Sequence, residues 1–89
     1  MYTEQQKDVL VQELKNGYRN NEYTNIEIVL TVIMLYKKQD IVKEDIFIIL
    51  KKIFDTSAEL LSALRTALPA LEDDTLIVGL FNDLKNMTD

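Results

Sequence analysis

Eighty-nine residues make one domain and no more, and 47% hydrophobic with 28% charged residues is the balance of a globular chain. The net charge is −5, and histidine, cysteine and tryptophan are all absent. That absence removes Ser-His-Asp, Cys-His, zinc-thiolate and haem chemistry together, and disulfides with them.

Two glycines and one proline favour long regular elements over a turn-rich sandwich or barrel. The start MYTEQQKDVL has an acid and two glutamines where a secretory leader has a basic start and an apolar run. The most apolar stretch, Ile26 to Tyr36, contains Glu27 and Thr31 and is too short to span a membrane. The expectation is a single cytoplasmic domain over residues 1–89 with no membrane span.

Three capping boxes, Thr3/Gln6, Thr24/Glu27 and Thr56/Glu59, each open an apolar-periodic segment. In such a box the hydroxyl accepts from the first turn while the longer side chain reaches back to the cap amide. The first helix is predicted from Thr3 to Lys15, with Leu10, Val11 and Leu14 inward. Asn16-Gly17 is its expected stop, since glycine tolerates the left-handed conformation that closes a helix. Tyr18 to Tyr23 then reads as a polar loop, with Tyr23 placed to pack on Ile28 as a hydrophobic staple.

The second helix is predicted over Asn25 to Lys38. Its only polar stripe is Glu27, Thr31 and Lys38, so most of its circumference must be covered. It is expected at the centre of the core, with Ile33 buried. The β-branched residues Ile26, Ile28, Val29, Thr31, Val32 and Ile33 favour a strand, but length, the capping box and the lysine pair at the end favour a helix.

The third helix, Val42 to Phe54, follows Asp40 as its expected cap and presents Ile46, Ile49, Leu50 and Ile53 at helical spacing, flanked by Phe47 and Phe54. The fourth starts at Thr56 and carries Leu60, Leu61, Leu64 and Leu68, with Ala63 and Ala67 permitting close approach. Pro69 is expected to end or kink it. A last helix from Asp73 to Met87 would turn Ile77, Leu80, Phe81 and Leu84 inward, with Gly79 where another helix comes close. The fold expected is all-α, a compact bundle of four to five helices.

Among the carboxylates, Glu72-Asp73-Asp74 lacks the alternating spacing and central glycine of a calcium loop. It reads more simply as charge complementing a helix start, as do Glu44 and Asp45. Both glycines are isolated, so no phosphate-cradling loop can be written. No cofactor, metal or catalytic residue is expected.

Charge varies along the chain. Residues 1–36 carry five acids and three bases, residues 37–52 five lysines and three acids, and residues 53–89 seven acids and two bases. The lysines at 37, 38, 43, 51 and 52 allow a nucleic-acid patch, with the third helix as a recognition helix. Interspersed acids, the lack of arginine there and the apolar run Ile46 to Leu50 weigh against it.

The acidic C-terminal half points instead to a basic protein surface. The favoured expectation is a small acidic interaction module of the regulator, inhibitor or immunity type. Partner contacts are assigned to Tyr18, Tyr23, Glu72, Asp73, Asp74 and Asp83. Bacteriocin immunity proteins and phage-encoded inhibitors share this size and class, an analogy carried by no motif in the chain. Self-association through surplus apolar surface is the third reading.

Overall fold

The structure is a computed structural model that describes residues 1–71 and positions 75, 78, 79, 82, 83 and 86. Four helices are α1 (Glu4–Arg19), α2 (Asn25–Lys37), α3 (Lys43–Ile53) and α4 (Ser57–Leu71). The scattered positions beyond them are helical too, and the described residues contain no strand. The inward residues expected of the last helix, Ile77, Leu80, Phe81 and Leu84, lie outside the described residues.

The helix starts follow the threonines. Thr3 accepts from the Gln6 amide at 3.1 Å and Gln6 returns a bond to the Thr3 amide at 2.8 Å. Thr24 and Glu27 repeat the exchange, and the Thr56 hydroxyl accepts from the Glu59 amide. Each pairing satisfies first-turn amides that have no partner within the helix.

Asp40 is not the cap of α3, contrary to expectation. Val42 takes that position, and Asp45 reaches back to accept from its amide at 3.3 Å. Asp40 uses its backbone instead, donating to the Leu35 carbonyl and accepting from the Tyr2 amide at 2.7 Å. Ile41 and Ile46 stand at the two positions of a hydrophobic staple, and both are buried.

The helix ends depart further from expectation. α1 does not stop at Asn16-Gly17 but continues through Tyr18 to Arg19, and Gly17 lies inside it. The left-handed residue is Asn21, with φ 61°. The Asn21 amide bonds to Tyr18 and the Glu22 amide to Gly17, which is the paired closure of a Schellman motif. Gln39, at φ 66°, closes α2 in the same way, its own amide bonding to Tyr36 and that of Asp40 to Leu35.

Pro69 does not stop α4, which runs on to Leu71. Gly79 is exposed, and among the described residues none lies within 4 Å of where its Cβ would stand, so none of the described helices makes the close approach expected there.

The core matches the apolar spacing. Val11 and Leu14 enter it from α1, Ile28, Val29, Val32 and Ile33 from α2, Ile46, Ile49, Leu50 and Ile53 from α3, and Leu60, Ala63, Leu64 and Ala67 from α4. α2 packs chiefly on α4, where Ala63 and Ala67 are fully buried, and α1 chiefly on α3. The residues left exposed on α2 are Glu27, Thr31, Met34 and Lys37, with Lys38 exposed at its C-cap.

Candidate functional site

Tyr18 and Tyr23 flank a turn that the Schellman closure holds in place, and their rings do different things. Tyr18, in the last turn of α1, is half-buried and meets Phe54 edge to face, with centroids 5.2 Å apart and planes at 77°. That pairing ties the end of α1 to the end of α3. Tyr23 is 41% exposed. Its ring lies against Gly17, so closely that a Cβ there would overlap it. Of the two, Tyr23 offers the larger free surface.

Of the expected acidic contacts, Glu72, Asp73 and Asp74 lie outside the described residues. Asp83 is exposed, its carboxylate 3.9 Å from the Lys43 ammonium at the start of α3. In screened, exposed geometry such a pair contributes little to stability.

The tighter ionic contacts knit helices together. Lys7 on α1 lies 2.9 Å from Asp45 at the start of α3 and 3.1 Å from Glu4. The Asp45 hydrogen bond, helped by Glu4, raises the lysine above its ordinary value. Partial burial pushes the Asp45 carboxyl up, but hydrogen bonds from Lys7 and from the Val42 amide outweigh it and leave the carboxyl below its ordinary value. Asp55, in the link between α3 and α4, faces both Lys15 and Arg19 of α1 at 3.6 Å.

Sequence reasoning weighed the lysines of α3 as a nucleic-acid patch but did not separate the exposed Ile48 from the apolar run Ile46 to Leu50. Glu44, Ile48, Lys51 and Lys52 are exposed on the outward face of α3, and Ile48 is 49% accessible. The Lys51 ammonium stands 5.0 Å over the ring of the half-buried Phe47. Helical spacing alone could have found this face, because Ile48 falls roughly opposite the Ile46, Ile49 and Ile53 stripe. Lys52 also borders an open cleft against α1 with Asp8, Val11, Gln12 and Lys15.

No group of three or more metal-ligating side chains occurs among the described residues. Nor does any described helix have the length and apolarity to cross a membrane. Compared with known protein families, with curated proteins and with solved structures, the chain matches none.

Proposed function

We propose that this chain is a small acidic interaction module that acts by binding another protein, in the manner of a regulator, inhibitor or immunity-type protein. The observation that supports this reading is how its chemistry is partitioned. Every buried side chain among the described residues is apolar, while Val9, Met34 and Ile48 stand about half exposed on α1, α2 and α3. Polar and charged groups lie at the surface around them. Exposed apolar side chains among charged neighbours are available as contact points for a partner.

The overall charge of −5 adds long-range attraction for a basic partner surface, which acts on association rate more than on affinity. In this reading Asp83, with Glu72, Asp73 and Asp74, supplies steering, and Tyr23 supplies contact. Tyr18 contributes through the shape of the turn, since its ring is committed to Phe54.

The test is affinity capture of the tagged chain from its own cells, identification of what is retained, and calorimetric titration with that purified protein. A saturable complex of fixed stoichiometry is expected. Retention of nucleic acid alone, released by salt, would replace this reading with that of a DNA-binding regulator. A concentration-dependent doubling of mass with no other protein retained would replace it with self-association.

A further inference from the structure

We propose that Asn16 is a site of spontaneous deamidation, and that the ring of Tyr23 gates the reaction. Asn16 is the one asparagine in the chain that is followed by glycine. In such a pair the glycine amide nitrogen attacks the side-chain carbonyl carbon of the asparagine, because glycine has no Cβ to hinder the approach. A new nitrogen–carbon bond forms, the side-chain carbon–nitrogen bond breaks, and ammonia leaves carrying the amide proton. Water then opens the cyclic imide at either carbonyl. The products are an ordinary aspartate and an isomer whose main chain runs through the side-chain carbons.

The folded chain exposes the asparagine and closes off the nitrogen that would attack it. Asn16 is exposed, while Gly17 is buried inside α1, which runs on to Arg19. A helical amide at that place is directed along the axis toward the carbonyl four residues back, away from an outward side chain. For attack, the peptide unit between Asn16 and Gly17 must turn. Its own carbonyl, that of Asn16, accepts from the Asn20 amide at 3.0 Å. The next carbonyl, that of Gly17, accepts from the Glu22 and Tyr23 amides at 2.8 and 3.3 Å. The Tyr23 ring fills the space where a Cβ at position 17 would stand. Turning the unit therefore breaks the hydrogen bonds on both of its sides and drives the Gly17 backbone into the ring.

Tyr23 is able to lift without the core opening. It is 41% exposed and belongs neither to the buried cluster nor to the residues packed against it. Its departure takes with it a bond to the Gly17 carbonyl, and the last turn of α1 is then free to fray. The product does not restore the turn. An aspartate at position 16 sets negative charge in the last turn of a helix, where the helix dipole disfavours it. The isomer lengthens the main chain by a methylene and displaces the acceptor that the Asn20 amide needs. Opening of this turn is thereby recorded in the covalent structure.

The experiment follows the full chain at mildly alkaline pH, with fragmentation mass spectrometry to place each lost amide. Asn20, Asn21 and Asn25, followed by bulkier residues, serve as internal references. In native buffer Asn16 should convert at least about tenfold more slowly than in urea that unfolds the chain. Tyr23→Ala should raise the native rate about tenfold with the circular dichroism spectrum still helical, and Tyr23→Phe, which keeps the ring, should not. Hydrogen exchange of the unsubstituted chain gives a reading that depends on no variant. The Gly17 amide should exchange at least about tenfold faster than that of Val32 in the core, since it opens locally.

Equal conversion in native buffer and in urea would overturn the shielding by α1. A Tyr23→Ala rate equal to the parent's would overturn the gate, as would a Tyr23→Phe rate as fast as that of Tyr23→Ala. Exchange at Gly17 as slow as at Val32 would overturn it too, because the turn would then open only when the whole chain unfolds.

Discussion

The ring of Tyr23 occupies the space that a Cβ at position 17 would fill. Glycine inside α1 is therefore a packing requirement, not a helix stop. Its carbonyl also accepts from the Glu22 and Tyr23 amides at 2.8 and 3.3 Å, so the turn folds back onto the residue that makes room for the ring. The expected consequence is a sign change in a mutant cycle. Gly17→Ala alone should cost about 1 kcal/mol, because the overlap outweighs the gain in helix propensity. In a Tyr23→Ala background the same change should stabilise by up to about 1 kcal/mol. Equal effects in the two backgrounds, read from urea melts, would refute the contact.

Asn21 and Gln39 hold left-handed backbone at the ends of α1 and α2, where glycine has no Cβ penalty. Gln39→Gly should raise stability by about 0.5–1 kcal/mol, and Asn21→Gly by less, since asparagine already tolerates that region. For a chain of this size the first change corresponds to a melting temperature higher by about 4 °C. A fall on Gln39→Gly would mean that its side chain contributes something the backbone geometry does not reveal.

Asp45 should leave a mark on the acid limb of stability. Its carboxyl lies below the ordinary value in the folded chain. It therefore stabilises fully above the ordinary carboxylate pKa, and that contribution is lost as pH falls through the lowered folded value. Asp45→Asn should melt lower at neutral pH, and the gap to the parent chain should close as pH drops below about 4. Lys7 has the opposite sense. Raised above 10.5, it stabilises below that value and loses its contribution as pH climbs through the folded one. A gap that stays constant from pH 7 to strong acid would show that this pair does not govern the acid limb.

Neighbouring residues of α2 should behave oppositely. Ile33 is 2% exposed and Met34 is 54% exposed. Ile33→Ala should cost on the order of 2–5 kcal/mol, the range for emptying a buried site, and Met34→Ala about 0.5 kcal/mol or less. Denaturant midpoints decide between them, and comparable losses would put Met34 in a buried contact.

Charge reversal at Asp73 and Asp74 addresses the steering role proposed for the acidic segment. With a partner in hand, association should slow and lose salt dependence while dissociation stays nearly constant. An unchanged association rate with a lower melting temperature would assign these carboxylates to a helix start instead.

The helix starts and the core stripes were legible in the sequence because both are set by residues a few positions apart. Thr3, Thr24 and Thr56 each cap through the amide three residues on. Ile46, Ile49, Leu50 and Ile53 are buried together because one helical period puts them on one side. The polar stripe of Glu27, Thr31 and Lys38 was readable for the same reason. It stands exposed while Ile28, Val29, Val32 and Ile33 are covered.

Only the tertiary structure decided the features that depend on what lies across a gap. Gly17 in sequence looks like a terminator, yet α1 runs through it, since Tyr23 closes over a backbone without a side chain. Asp40 resembles a cap, but its backbone is held by Leu35 and Tyr2 and the role passes to Val42 and Asp45. Lys7, whose sequence neighbour Glu4 already pairs with it, finds its shorter contact in Asp45 on α3. Helix propensity and period act within a few residues, whereas these contacts join positions brought together by packing. The chain's periodicity therefore determined the helices and their inner faces, and the packing of α1 on α3 determined which charges pair and which lysines remain beside Ile48.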